Sequence, residues 1–453
     1  MVGRREFISF SLLSVAGFIA GPSLPGVAGV SSAYAENNTP NGKASEDRRK
    51  VAVIQPVFTN TAYSSGGFYD WFRRYAGQDN VTDLNGLDLP VTMDWGFSRS
   101  LGELVNSTAL LNKVDVDPFV VTDLDIHGGR LFEDGRRKYS YLVIGHSEYV
   151  TSNEYNQLRE FVSSGGTLVF LDGNALYAEV DYYVDAQGTK RVRLRKGHGW
   201  EVLDDGRAVK SVNSRWRKEN LEWIGSDYFG GSYNIAPGGA KPEKSHPIGA
   251  ALAHNFGDKV FGSYYTRRED TVITNPEKVE IIARFNGHVY DEAPGGIFAS
   301  YTKRYGKGRV FHFGGFGDDV ILNDPHVQFL LTSMINYRRR AERVKASVNT
   351  FTYEDQNYEY DYAHSNGTTI STVKVKNLGK TNLNLSGWKI LEYGKLLAVL
   401  TDKTVIAPYE TLLLELQPRE TNNPLFLYDN HLHFVCQLET EVIEEDASMD
   451  TAT

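Results

Sequence analysis

Five short apolar runs, each stopped by a glycine or an acidic residue, constrain this chain more than any other feature. They are Val51-Ala-Val-Ile-Gln-Pro, Phe119-Val-Val-Thr-Asp-Leu-Asp-Ile, Tyr141-Leu-Val-Ile-Gly, Thr167-Leu-Val-Phe-Leu-Asp-Gly and Arg309-Val-Phe-His-Phe-Gly-Gly. A strand buried on both faces reads this way, because neither face needs polar residues. Helical patterns lie between the runs. Thr151 and Glu154 have capping-box spacing, Tyr155, Leu158, Phe161 and Val162 follow at helical intervals, and Gly165-Gly166 stops them. Asp324-Pro325 opens a second helix, with Val327, Leu330, Leu331, Met334 and Ile335 on one face. Alternating strands and helices predict an α/β fold over residues 51–340, a doubly wound parallel sheet with helices on both faces. Residues 180–300 are less regular and are expected to form an insertion with antiparallel strands. Within them, Lys190-Arg-Val-Arg-Leu-Arg-Lys196 alternates basic with apolar, which predicts a strand with one solvated face.

The pattern changes beyond Tyr337-Arg-Arg-Arg. Residues 345–440 read as short alternating strands such as Ser371-Thr-Val-Lys-Val-Lys and Thr411-Leu-Leu-Leu-Glu-Leu, with turns at Asn366-Gly367 and Pro408. A small β-sandwich is expected there, followed by an acidic, disordered tail at 441–453. At the other end, Arg4-Arg5 precedes an apolar stretch from Phe7 to Ala20 and a small-residue region ending Ala33-Tyr34-Ala35. That order reads as a twin-arginine-type signal peptide over residues 1–35, cleaved after Ala35. The apolar stretch falls short of the roughly 20 residues of a spanning helix, so no membrane span is expected after cleavage. Residues 36–50 are a polar linker, and the mature protein is expected to be exported.

Composition removes several classes of function. A formal charge of −9 leaves no electrostatic footprint for nucleic acid. The single Cys436 rules out a disulfide within the chain and cysteine-rich zinc sites, so a metal would need oxygen or imidazole ligands. No G-x-S-x-G stretch supports a serine nucleophile.

In an open parallel sheet, ligands bind beyond the carboxyl ends of the strands. Tyr63 and Tyr69 follow the first run, Asp125 and His127 the second, His146, Glu148 and Tyr149 the third, and Asn174 the fourth. Phenol, carboxylate and imidazole are hard donors suited to ferric iron or another metal. A loop histidine and a helix-capping glutamate would explain the same His146-Ser-Glu148 spacing without any metal, and both readings stay open here.

Several of these stretches resemble one family in the same order. Tyr141-Leu-Val-Ile-Gly-His-Ser-Glu-Tyr, the helix ending Ser163-Ser-Gly-Gly, Leu171-Asp-Gly-Asn-Ala-Leu-Tyr177, Thr61-Ala-Tyr63 with Gly66-Gly-Phe-Tyr69, and Val121-Thr-Asp-Leu-Asp-Ile-His127 are similar to the large subunit of N,N-dimethylformamidase. The resemblance implies a class I glutamine amidotransferase-like fold. It also implies hydrolysis of a small amide by mononuclear iron held by two tyrosines and a glutamate, with a histidine nearby. Carried over by motif, Tyr63 and Glu148 are metal ligands and His146 is the catalytic histidine. The family's other tyrosine lies upstream of the Ala-Tyr segment, where this chain has linker and signal; with two ligands the site would stay empty, recruit Tyr69 or Asp125, or bind something else. If Tyr63 and Glu148 share an ion, their oxygens must lie within about 6 Å of each other.

The Tyr305-Gly-Lys-Gly-Arg-Val-Phe-His stretch resembles trehalose-utilisation-type proteins of the same superfamily. True glutaminases carry a Cys on the turn where this chain has Asp172-Gly-Asn174, which excludes thiol chemistry. Val373-Lys-Val-Lys-Asn-Leu-Gly, Leu385-Ser-Gly-Trp388 and Ile406-Ala-Pro-Tyr are similar to a lamin-tail-type immunoglobulin-like module, with Trp388 as its core residue. His198-Gly-Trp200, Trp216, Trp223 and Tyr228 could line a ligand wall, although core packing is the stronger reading for each. The expected function is an exported, metal-dependent amide hydrolase relative acting on a small-molecule amide. The alternative is a non-catalytic ligand- or carbohydrate-binding scaffold with a degenerate site.

Overall fold

The first apolar run, Val51–Gln55, lies near one edge of an eight-stranded sheet and pairs in parallel with Phe119–Thr122 on one side and Tyr141–Ile144 on the other. Thr167–Phe170 pairs in parallel with Tyr141–Ile144, and Gly308–Phe313 in parallel with Thr167–Phe170. All five apolar runs therefore lie side by side as parallel strands. In a computed structural model, the described residues are 50–93, 107–114, 116–173, 176–233, 240–257, 267–272, 278–285, 298–314, 324–337, 344–353, 368–416, 423–432 and 434–440. These all belong to the unit Arg49–Thr453.

The sheet does not end at the fifth run. Phe298–Tyr305, Glu280–Phe285 and Ala240–Pro242 continue it in antiparallel order. Part of the expected insertion thus completes the central sheet, because Lys307 and its neighbours turn the chain straight back on itself. The other part, Ala178–Val184, Lys190–Gly197, Trp200–Val202 and Ala208–Lys210, forms a second, mostly antiparallel sheet. Lys190–Gly197 alternates as its sequence predicts, with Val192 and Leu194 fully buried.

Both faces of the central sheet are covered. Helices Pro247–Phe256 and Pro325–Asn336 pack Ile248, Leu252, Leu330 and Met334 against Val53, Val143, Val169 and Phe311. On the other face, helix Ser152–Ser163 packs Tyr155, Leu158, Phe161 and Val162 against Ile54, Leu142, Leu168 and Val310. Asp324 caps the second helix by accepting from the His326 N–H, as the Asp-Pro signal predicts. The expected Thr151–Glu154 box is only half made. The Thr151 hydroxyl accepts from the Glu154 N–H, but the Glu154 carboxyl interacts with Asp123 instead. Among the described residues, no helix is long and apolar enough to cross a membrane.

The carboxyl-terminal part holds two four-stranded sheets, one with Thr368–Asn377 at its heart and one with Lys389–Glu392 and Leu425–Tyr428. Trp388 is buried between them with Val373, Ile390, Leu427 and Val435. This part rests on the α/β region. Tyr428 donates to the Pro247 carbonyl at 2.6 Å, and Leu391, Phe426 and Tyr428 pack on Ala250 and Ala251. The tail from 441 lies outside the described residues.

Candidate functional site

The loop after the first strand is shaped by its glycines. Helix Val57–Ala62 ends at Tyr63, and Gly66, at φ +74°, turns the chain back. A Cβ on Gly67 would lie 2.6 Å from the Ala62 carbonyl oxygen, so only glycine allows this reversal. Helix Phe68–Arg74 starts at once and brings the Tyr69 ring to 4.4 Å from the Tyr63 ring, centroid to centroid. The loop after the third strand is docked onto the same helix pair. The Thr59 hydroxyl accepts from the backbone N–H groups of both Glu148 and Tyr149 at 3.0 Å.

These two loops meet at one carboxylate. Tyr63 donates to Glu148 Oε2 at 2.7 Å and Tyr69 to Glu148 Oε1 at 2.8 Å, while the two hydroxyls lie 3.0 Å apart. His146 Nε2 is 3.2 Å from the Tyr63 hydroxyl, and its Nδ1 is 3.1 Å from Asp172 Oδ2. His198 Nε2 makes an ion-pair contact with Glu148 Oε1 from the opposite side. Glu148, His146 and Asp172 are buried, and both tyrosines are half-buried as whole residues. Burial alone would raise the Glu148 carboxyl, but the imidazoles of His198 and His146 outweigh it and hold the group well below its ordinary range. Burial, and then the Glu148 charge, push the Tyr69 phenol well above its ordinary value, so it stays a donor.

A family model described as N,N-dimethylformamidase beta subunit-like, C-terminal, matches residues 34–324, a span that contains every residue of this cluster. The chain belongs to this family. No curated protein matches it in sequence. Similar solved structures include the β-galactosidase Gan42B of G. stearothermophilus, at 16% identity and TM-score 0.33, covering 82% of this chain and 40% of that one. A ThuA-like protein from Bacteroides uniformis is 10% identical, with TM-score 0.36, and covers 67% of this chain and 98% of its own. The chain spans about two fifths of the length of the β-galactosidases it matches. Likeness at these scores says nothing about function.

The other residues singled out in this dimethylformamidase-like chain divide clearly. Tyr149 is fully buried beside Tyr69, its ring stacked on His198, and burial, then the Glu148 charge, push its phenol well above its ordinary value. Asp125 is engaged elsewhere: it completes a capping box with Thr122 and pairs with Arg130 at 2.7 Å. His127 Nδ1 lies 2.8 Å from the Thr151 hydroxyl, with the ring against Phe58 and Tyr182. Asn174 lies outside the described residues. Among the described residues, no three His, Cys, Asp or Glu side chains form a group that could hold a metal ion.

His198 is the member of the cluster whose position sequence reasoning missed. It occupies the two-residue turn between Lys190–Gly197 and Trp200–Val202, where φ is +54° at His198 and +76° at Gly199. Both angles suit a type I′ hairpin, a conformation that costs a non-glycine residue roughly 1–3 kcal/mol. The available signal was a His-Gly pair directly after an alternating strand.

Proposed function

We propose that this chain is an exported amide hydrolase relative that acts on a small amide, with a mononuclear iron held by Tyr63, Tyr69 and Glu148. The observation that carries the reading is the meeting of two phenol oxygens and one carboxylate, all within 3.0 Å of a neighbour in the set. The donor chemistry fits a ferric ion: phenolates and a carboxylate are hard oxygen ligands. Tyr69 supplies the second phenol of the set.

Iron bound there would polarise a substrate carbonyl and acidify a water. The chain's own residues supply orientation and proton handling. Asp172 fixes the His146 ring through Nδ1, which leaves Nε2 facing the cluster, placed to accept or return a proton. His198 bears on Glu148 from the other side and limits how that carboxylate can swing. In the same reading, the α/β region takes the glutamine amidotransferase-like fold, the carboxyl-terminal part is an immunoglobulin-like spacer, and the twin-arginine route exports the protein already folded.

Metal analysis and absorption spectroscopy of the purified protein test this directly. Near-stoichiometric iron, a phenolate-to-iron absorption band and hydrolysis of N,N-dimethylformamide or a related small amide are expected. The band should weaken in Tyr63→Phe and Tyr69→Phe. Metal-free protein whose properties ignore both substitutions would leave the non-catalytic binding scaffold as the answer.

A further inference from the structure

A second cluster of charged groups sits far along the chain from the Glu148 site, at the junction of the α/β region and the carboxyl-terminal sheets. It lines a cleft of about 810 Å³. On its floor, Arg304 and Arg309 are directly opposite each other on neighbouring antiparallel strands. Like charges so placed repel, and a sheet has no structural reason to keep them. Arg309 is 3% exposed; it donates to the Thr302 hydroxyl at 3.0 Å and sits 4.8 Å over the Tyr337 ring. Arg304 is exposed and has no ion-pair partner among the described residues.

The wall above them is the start of helix Pro247–Phe256, where the dipole and free N–H groups favour a negative charge. Its cap is His246, 4% exposed. His246 Nδ1 accepts from the Ile248 N–H at 3.1 Å, so the ring proton resides on Nε2. That Nε2 makes no hydrogen bond; the nearest carboxylate oxygen, on Glu280, is 3.7 Å away. The cleft therefore holds a buried, unused N–H donor. Arg284 pairs with Glu243 and Arg309 with Glu280, each at 3.3 Å, so the positive charge with no ion-pair partner among the described residues is that of Arg304. Pro247, Val279, Ile281 and Phe434 give the lining an apolar part beside Ser245 and Gln437, with Phe434 stacked on Tyr337 at 5.0 Å.

We propose that this cleft is a second binding site, for a small monocarboxylate with an apolar or aromatic body. The carboxylate would take its hydrogen bonds from His246 Nε2–H and the Arg304 and Arg309 guanidiniums, and the body would lie on Phe434 and Ile281. The single Arg304 charge matches a monoanion; a dianionic phosphate would bring its second charge against Glu243 and Glu280. The site is independent of any reading of the Glu148 cluster.

Calorimetric titration of the full chain with sodium benzoate, at constant ionic strength set with sodium chloride, tests it. Saturable one-to-one binding is expected, with benzyl alcohol at least about tenfold weaker because it lacks the charge-assisted bonds. Arg304→Gln, on an exposed strand position, and His246→Asn, which keeps a capping side chain but loses the cavity donor, should each weaken benzoate about tenfold. Glu280→Gln should strengthen it, a gain that misfolding cannot mimic. The proposal is overturned by the absence of saturable heat, by equal binding of benzyl alcohol, by displacement of benzoate by equimolar inorganic phosphate, or by folded variants that bind like the parent.

Discussion

Glu148 and Glu154 are both fully buried carboxyl groups, close together in sequence, and they sit in opposite states. Glu148 is held well below its ordinary range and is an anion; Glu154 is pushed well above it and keeps a proton. Burial penalises both charges alike. The difference lies in what surrounds them. Glu148 receives two phenol donors and contacts from two imidazoles. Glu154 has neither oxygen hydrogen-bonded with good geometry and faces Asp123, whose carboxyl burial raises to about 8. A buried carboxylate surrounded by donors is placed for chemistry. A buried carboxyl pair sharing protons between a helix and a strand end is placed to hold the fold together.

The sharpest break of this contrast compares Glu148→Gln with Glu154→Gln. The first removes a charge the cluster is built around. It is expected to abolish iron binding and to lower amide hydrolysis more than about a hundredfold, beyond what even supporting residues of metal sites cost. The second replaces a group that is already neutral, so iron content and hydrolysis should stay within a few-fold of the parent. Iron assay and steady-state rates on both variants decide it. Equal losses in the two would mean that the Glu148 environment has no special role.

A smaller effect is expected at His198. His198→Asn keeps a residue that tolerates positive φ, so the hairpin turn survives. The imidazole contact with Glu148 is lost, and iron affinity measured by chelator competition should fall about ten- to a hundredfold. The melting temperature should hold or rise. A fall in stability with unchanged iron affinity would make His198 a turn residue only.

How much of this was legible before the structure depends on the range of the interactions. The five parallel strands announced themselves because burial on both faces leaves an unbroken apolar run. Tyr63, His146 and Glu148 could be named from motif order, and their loops follow neighbouring strands. The antiparallel edge strands were harder: short, mixed in polarity and separated by long segments, they reveal their place only through pairing. Tyr69 and His198 reach Glu148 through a glycine reversal and a hairpin tip, respectively, and neither turn can be aimed from local sequence. Glu154 shows the opposite failure. Its spacing to Thr151 spelled a cap, but a buried Asp123 across the helix–strand junction won the side chain.

The smallest predicted effect concerns that second carboxyl centre and can be signed in advance. Asp123 in the folded protein holds its proton up to about pH 8, whereas an unfolded aspartate releases it near 4. Between those values the folded state binds the extra proton, so stability falls as pH rises through that window. Asp123→Asn removes this titration yet leaves a carbonyl oxygen to accept from the Phe58 N–H, the bond that Asp123 Oδ2 now makes at 2.7 Å. The variant should therefore melt with a shallower pH dependence between about 5 and 8 than the parent, gaining most on the alkaline side. Its hydrolysis rate should not change. Parallel pH dependences in the two proteins would show that Asp123 is ionised at its buried site, and the contrast with Glu148 would then lose its physical basis.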